Sequence, residues 1–186
     1  MGCIIDKCVK EKRLQNETSA PSDLSPGEEP RLTDEEIKVL EDCWMTLKED
    51  IEKVGVITFI GLFETHPEVQ DSFLPFRQLS KTDLELSAIL KSHSLRVMGT
   101  VDKCIARASQ PDKLRDLMSS LGQRHISYNA QIEFIDMVGQ QFVYAIEPHL
   151  KDSWSEEVSE AWLKLFRVMT YYMMLGMRSK QTKTAV

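Results

Sequence analysis

Two of the four histidines in this chain lie in apolar helical patterns, where an imidazole could bind a metal ion. His93 lies among apolar residues spaced three and four apart, and His125 ends a similar stripe that contains Leu114, Leu117 and Leu121. A neutral imidazole binds metal through one nitrogen while its second nitrogen donates to a carbonyl. Either histidine alone is also consistent with a hydrogen-bonded residue at the edge of a hydrophobic core.

Large apolar side chains in the neighbouring segments could enclose a flat apolar cofactor between such ligands. A cofactor of this kind requires aromatic and aliphatic walls, with a ligand on one or both faces. The candidate wall residues are Phe59, Phe73, Phe76, Val97 and Leu121. The remaining histidines, His66 before Pro67 and His149 after Pro148, are expected at surface corners. No His-x-x-x-His motif is present, which disfavours a zinc site.

The first residues carry a second kind of chemistry, because removal of Met1 leaves Gly2 as an amino-terminal amine for myristoylation. The Cys3 thiol beside it can accept palmitate, and Cys8 is a further candidate. One acyl chain binds a membrane weakly, whereas two anchor it stably. Basic residues between positions 6 and 13 outnumber acidic ones, which favours an anionic leaflet. We predict acylation of Gly2 and Cys3, although Asp6 stands where the motif prefers Ser or Thr.

Composition and charge limit the classes of function. A chain of 186 residues, 42% hydrophobic and 28% charged, is typical of one soluble globular domain. Its formal net charge of −6 supplies no attraction for phosphate backbones, so nucleic-acid binding is not expected. No run of 18 apolar residues is present, and the first apolar segment is too short for a signal peptide. Cys43 and Cys104 are expected to be reduced, buried apolar residues.

The positions of proline and the helical spacing of apolar residues predict an all-α fold. Residues 14–32 contain few large apolar groups and predict a flexible linker. Residues 33–36, Thr-Asp-Glu-Glu, predict a capping box, so the folded domain is expected to begin near Leu32.

One long helix is predicted over residues 80–104, where apolar side chains recur every three or four residues. Its apolar face consists of Leu86, Ile89, Leu90, His93, Val97, Val101 and Cys104. Residues 67–79 are expected to be irregular, and a later helix to end at Pro148. The last helix is expected to give way to a basic tail over residues 179–186.

The order of these features resembles the globin family over about residues 32–178. Trp44 lies where globins often place a tryptophan in their first helix. The His66-Pro67 run is followed by Phe73-Leu74-Pro75-Phe76. In the family such a proline opens the third helix, and the phenylalanine six residues later, here Phe73, lies against the haem. Gly55 lies where two helices of the family cross closely, with Ser94 where many globins have glycine.

The two histidines complete this resemblance. His93, with Val97 one turn later, resembles the distal histidine and its apolar neighbour, and His125 resembles the proximal histidine. The gap of 32 residues between them fits two helices and a corner. Arg96 occupies a position from which family members can reach a haem propionate, although a solvated helix face is an equal alternative.

The resemblance implies a globin fold of about eight helices around one haem b, with iron bound by His125 and His93. The implied pocket residues are Phe59, Phe73, Phe76, Arg96, Val97, Leu121 and Ile132. No Cys-x-x-Cys-His motif is present for covalent attachment. Residues 121–125, Leu-Gly-Gln-Arg-His, are more similar to neuroglobin and the globin X group, whose members commonly bind iron through both histidines. A hexacoordinate resting state is therefore implied.

Together with the acylation motif, the likeness to globin X implies a lipid anchor on the cytoplasmic face of the plasma membrane. The expected organisation is an acylated arm over residues 1–31, a globin domain over 32–178 and the tail. Expected ligands are O2, CO, NO or nitrite, in redox, electron-transfer, sensing or protective roles with an unidentified electron-transfer partner. Nitrite reduction and nitric oxide dioxygenation are activities within reach of the family. The alternative is a lipid-anchored helical signalling adaptor without a cofactor.

Overall fold

The computed structural model describes residues 29–128 and 130–184, which form eight α-helices and no strand, so the prediction of an all-α fold is confirmed. The helices are α1 (Asp34–Leu47), α2 (Ile51–Thr65), α3 (Pro67–Ser72), α4 (Lys81–Leu86), α5 (Ala88–Ile105), α6 (Pro111–Ser127), α7 (Ile132–Leu150) and α8 (Glu156–Thr184). Short 3-10 turns span Lys48–Asp50 and Lys151–Ser153. Gly2, Cys3 and the remainder of the predicted arm up to residue 28 lie outside the described residues, as do the side chains of Ile132 and residues 180–184.

None of the helices in the described ranges combines the length and the apolar composition that crossing a bilayer requires.

The predicted capping box begins α1. The Thr33 hydroxyl accepts a hydrogen bond from the Glu36 backbone N–H (3.2 Å), and the Glu36 carboxylate accepts one from the Thr33 backbone N–H (2.7 Å). The second carboxylate oxygen of Glu36 accepts from Lys164 of α8 at 2.7 Å. Glu36 therefore accepts a hydrogen bond from a free backbone N–H at the start of α1 and also links the first helix to the last.

The prediction of a single long helix over residues 80–104 is wrong at its start, because the helix is interrupted at Ser87 between α4 and α5. The backbone of Ser87 is extended (φ −69°, ψ 112°), and its hydroxyl accepts from the Leu90 backbone N–H as the cap of α5. A serine that bonds to nearby backbone competes with continued helix formation. Leu86 lies before this break and Ile89 in the first turn of α5, and they are 76% and 57% exposed rather than part of the core face.

Two proline positions also differ from the prediction. Residues 67–79 are not wholly irregular, because residues 67–72 form α3. Pro67 fits its first turn, where a backbone N–H would make no hydrogen bond within the helix. Pro148 lies inside α7, which continues to Leu150 and ends where Lys151 adopts a positive φ of 46°. Helix α8 extends to Thr184, so residues 179–184 of the predicted tail continue that helix.

The core consists of two clusters of buried apolar side chains. The first joins α1, α5, α6, α7 and α8 with Val54 of α2, and it contains Trp44 and Trp162 with their ring centroids 6.0 Å apart. The second lies around Phe59 and Phe76 on the side of α2. Cys43 and Cys104 are free thiols buried in the first cluster, which confirms their prediction as apolar core residues.

Two pairs of helices pack closely at glycines, α6 on the backbone of α8 and α2 on small side-chain atoms of α5. A Cβ atom added to Gly122 of α6 would lie 2.1 Å from the Met173 carbonyl oxygen of α8, and one on Gly176 would lie 2.0 Å from the Ser119 carbonyl oxygen. Between α2 and α5, a Cβ on Gly55 would lie 3.0 Å from the Ser94 Cβ, as the predicted close crossing requires. Helix α5 thus packs closely on α2, whereas helix α6 packs closely on α8.

Gly122→Ala should lower the free energy of unfolding by about 1–3 kcal/mol, because the methyl group forces α6 away from the α8 backbone. Gly99→Ala is the matched control in α5, where an added Cβ has no heavy atom within 4 Å among the described residues. Replacing that helical glycine should raise stability by up to about 1 kcal/mol. Urea denaturation compares the variants, and equal stability of the two would contradict the close packing of α6 on α8.

Candidate functional site

The two candidate ligand histidines lie on helices whose facing surfaces pack on different parts of the core. His93 belongs to α5, and Val97, one turn later, is half-buried and packs against both core clusters. His125 lies near the carboxyl end of α6, and Leu121, one turn earlier, is half-buried against the first cluster. Val97, one turn from His93, therefore lies where the two clusters meet, whereas Leu121, one turn from His125, packs against the first cluster.

Three phenylalanines surround the imidazole of His93. The ring centroid of Phe59 lies 4.9 Å from that of His93, with Phe73 at 5.5 Å and Phe76 at 6.1 Å. All three rings meet the imidazole at interplanar angles of 66° to 74°, which is an edge-to-face arrangement. The three predicted aromatic wall residues come from α2 and the α3–α4 connection, and the fold brings them together around one histidine.

This apolar setting keeps His93 uncharged. Burial lowers the pKa of His93 to about 4, and electrostatic interactions with Arg96 and His125 act in the same direction. The neutral form therefore dominates at neutral pH. Among the described residues no hydrogen bond reaches the His93 ring, so a neutral nitrogen lone pair remains for a ligand to use.

His125 is oriented by its own helix. Its Nδ1 donates a hydrogen bond to the Leu121 carbonyl oxygen at 2.9 Å, so Nε2 carries the lone pair. A metal-binding histidine is commonly oriented in this way. His149 makes the same kind of bond to the Ala145 carbonyl at 3.0 Å, so the bond alone does not identify a ligand. His125 differs because it is near enough to His93 to influence its pKa.

The other predicted site residues are placed less centrally. Arg96 is exposed, and its guanidinium donates to the Ser92 hydroxyl at 3.0 Å on the same helix. This arrangement leaves both alternatives for Arg96 open. The structure adds Phe63, whose ring lies 5.7 Å from Phe73 and 5.9 Å from Phe76. The i, i+4 spacing of Phe63 from Phe59 on α2 could have identified it.

The donor groups fit a cofactor that brings its own equatorial ligands. Two imidazoles alone do not complete the four-coordinate shell of a typical protein metal site. No group of three or more His, Cys, Asp or Glu side chains that could hold a metal ion occurs in the part of the chain that the structure describes. A planar macrocycle with a bound iron needs one or two axial nitrogens and apolar walls, and His93, His125 and the phenylalanines supply both.

Comparison with known proteins agrees with this interpretation. The family model described as Globin matches residues 58–173, which is more than half of the chain. Neuroglobin of Tetraodon nigroviridis is 24% identical over 147 residues, covering 78% of this chain and 92% of that protein. Cytoglobin-2 of Danio rerio is 22% identical over 143 residues, covering 76% of this chain and 80% of that protein.

A solved structure has the same fold. The crystal structure of a hexacoordinated heme protein from an anhydrobiotic tardigrade superposes with a TM-score of 0.74 at 20% sequence identity. The match covers 79% of this chain and 96% of the tardigrade chain. The expected helical architecture is thus found in a protein of known structure.

Proposed function

The chain belongs to the globin family, and we propose that it binds one haem b between α5 and α6, with His125 and His93 as the iron ligands. The observation that carries this proposal is the neutral imidazole of His93 inside a ring of three phenylalanines, with His125 near enough to affect its pKa. The tardigrade protein of the same fold is itself described as a hexacoordinated heme protein.

Each residue has a separate part in this proposal. The bond from His125 Nδ1 to the Leu121 carbonyl orients the ring and makes Nε2 a better donor to iron. Phe73, which is half-buried among Phe59, Phe63 and Phe76, supports the proposed haem plane. Bound haem would supply redox chemistry and a site for O2, CO, NO or nitrite.

Ligation by both histidines suits redox or sensing roles better than bulk oxygen transport. A small ligand would compete with His93 for the iron, so its apparent affinity would be proportional to the fraction of molecules in which His93 is not bound. Electron transfer, sensing and protection from reactive species are compatible with this closed state. Nitrite reduction and nitric oxide dioxygenation are activities that the family could support on the same iron.

The arm adds a proposed location, based on sequence chemistry alone. Gly2 offers an amine for myristoylation and Cys3 a neighbouring thiol for palmitoylation. Two acyl chains, with the basic excess around them, would hold the globin domain at the cytoplasmic face of the plasma membrane. The likeness to globin X, beyond the neuroglobin and cytoglobin relatives, is part of this proposal.

A lipid-anchored helical adaptor without a cofactor is the second candidate function. The close backbone packing of α6 on α8 would give such an adaptor a rigid surface without any haem. The two candidates differ in the absorption spectrum. A Soret band in the purified full-length protein after haem addition supports the globin proposal, and a colourless protein supports the adaptor.

His125→Leu should sharply reduce haem retention, because it removes the proposed proximal nitrogen while the apolar packing of α6 is kept. His149→Leu is the matched control, since His149 makes the same bond to the carbonyl four residues before it and lies outside the proposed pocket. The ratio of Soret to protein absorbance after gel filtration measures retention. Equal retention by both variants would show that His125 is not the ligand.

His93→Leu should convert a low-spin, six-coordinate ferrous spectrum to a high-spin, five-coordinate one, because the second axial nitrogen is lost. His66→Leu is the control, because His66 is also half-buried and instead pairs with Glu68 at 3.3 Å. Visible absorption of the reduced proteins reports the change. A five-coordinate wild-type ferrous protein would contradict the bis-histidine proposal.

Gly2→Ala should place the protein in the cytosol, because it blocks myristoylation and the palmitoylation that follows it. Cys3→Ser should leave one acyl chain and weak attachment. Gly27→Ala is the control, because it removes a glycine of the same arm that is not amino-terminal and therefore cannot be myristoylated. Cell fractionation with acyl-chain labelling measures both steps. A Gly2→Ala protein that stays at the plasma membrane would remove lipidation as the cause.

A further inference from the structure

Two of the three phenylalanines around His93 lie on one short stretch of chain. Phe73 and Phe76 belong to the connection over residues 73–80, between α3 and α4, whereas Phe59 lies on α2. The backbone hydrogen bonds of α2 fix the position of Phe59. The connection has no such ladder of bonds, so the positions of Phe73 and Phe76 depend on other groups that hold its backbone.

The backbone of this connection folds into tight turns that leave one residue in an uncommon conformation. The Phe73 carbonyl oxygen accepts hydrogen bonds from the backbone N–H groups of Phe76 at 2.8 Å and Arg77 at 3.0 Å. Gln78 then has a positive φ of 67°, which is uncommon for a residue with a side chain. Such a conformation persists only where surrounding contacts fix it. The connection therefore needs support from outside itself.

Gln70 of α3 gives the connection this support. Its side-chain nitrogen, which carries two N–H groups, donates to the Phe76 carbonyl oxygen at 2.8 Å and to the Leu79 carbonyl oxygen at 3.0 Å. The two acceptors lie on either side of Gln78 in the chain. Gln70 is half-buried, so water does not fully replace these bonds when they are lost. One amide therefore holds the turn that contains the uncommon φ.

A second side chain also joins the connection to α3, but at the surface. The Nε of Arg77 donates to the Asp71 carbonyl oxygen at 2.9 Å, and this bond is exposed. Water can take the place of either partner of an exposed hydrogen bond, so its loss costs little. The half-buried amide of Gln70 is thus the more important of the two links.

We propose that Gln70 is a positioning residue of the proposed haem site, which holds Phe73 and Phe76 against His93 and thereby favours the state in which His93 is bound to the iron. This inference rests on the proposed bis-histidine ligation. Among the described residues, aromatic contacts alone position the His93 ring. Fixing a free side chain in one orientation costs conformational entropy, and a ring that its neighbours already hold avoids that cost. Loss of the Gln70 bonds loosens two of the three contacts, so His93 should leave the iron more often.

The first test measures CO binding to the reduced, haem-loaded, full-length protein, at a CO concentration high enough that departure of His93 limits the rate. Gln70→Glu keeps the shape of the side chain, but its ionised carboxylate only accepts hydrogen bonds. Gln70→Met replaces the amide with an apolar group of similar length. Both variants lose the two bonds and should speed CO binding at least about fivefold, the factor that corresponds to one typical net hydrogen bond.

Two control variants separate this effect from general loss of stability. Ser72→Ala is the matched control on α3, because the Ser72 hydroxyl donates to the Glu68 carbonyl oxygen at 3.2 Å and this bond stays within the helix. Cys43→Ala truncates a buried residue of the first core cluster on α1. Both controls should keep the wild-type CO rate, and urea denaturation checks that every variant is folded.

The second test needs no haem and measures the aromatic contacts themselves. Nuclear Overhauser effects between the ring protons of His93 and those of each phenylalanine are recorded in the haem-free, full-length protein. In both Gln70 variants the effects from Phe73 and Phe76 should weaken. The effect from Phe59 should remain, because α2 fixes that residue, and it serves as an internal control.

Faster CO binding together with weaker contacts of Phe73 and Phe76 in both Gln70 variants, and neither change in the controls, supports the proposal. An unchanged or slower CO rate in either Gln70 variant overturns it, and so does an unchanged pattern of ring contacts. Equal changes in Cys43→Ala would show general softening of the core and also overturn it. A wild-type protein that takes up no haem defeats the proposed function instead, and the ring contacts then still decide whether Gln70 positions Phe73 and Phe76.

Discussion

Close backbone packing of α6 on α8 is the constraint on which the candidate site depends. Gly122 and Gly176 allow the two backbones to approach within a distance that any Cβ would prevent, and this commits one side of α6 to α8. Helix α5 is committed to α2 in a similar way at Gly55 and Ser94. The positions of the helices that carry His93 and His125 are therefore fixed by packing at these small residues.

The two histidines reach a ligand-ready state by different physical routes. His93 is kept neutral chiefly by burial, because an imidazolium among phenylalanine rings would lose its hydration. His125 is oriented by a hydrogen bond from Nδ1 to the carbonyl one turn earlier, which leaves Nε2 free to bind iron. The ring of His125 is thus oriented by a hydrogen bond from its own helix, whereas the ring of His93 is positioned by aromatic contacts alone among the described residues.

The errors of the sequence-based prediction lie where local hydrogen bonding or proline position competes with apolar periodicity. Leu86 and Ile89 match the apolar spacing around His93, yet both are exposed: Leu86 is separated from α5 by the Ser87 cap, and Ile89 lies in the first turn of α5. Pro148 was expected to end α7, but a proline close to a carboxyl terminus removes only one backbone bond and the helix continues to Leu150. Both cases concern positions close to helix ends, which depend on a few weak local interactions, and the first removes Leu86 and Ile89 from the predicted face of His93.

The sequence by itself determined which residues share a helix face, because helical periodicity is a local property of the chain. The face of His125 and the capping box at Thr33 could be predicted from such local patterns. The close approach at Gly55 was implied by the resemblance to globins, and the predicted face of His93 wrongly included Leu86 and Ile89. Only the tertiary structure decided that Phe59, Phe73 and Phe76 enclose His93, since they come from separate segments whose meeting depends on how helices cross. The contact of Cys104 with Met118 has the same origin. It joins two helices across a corner, and no spacing along the chain specifies which side chains meet there.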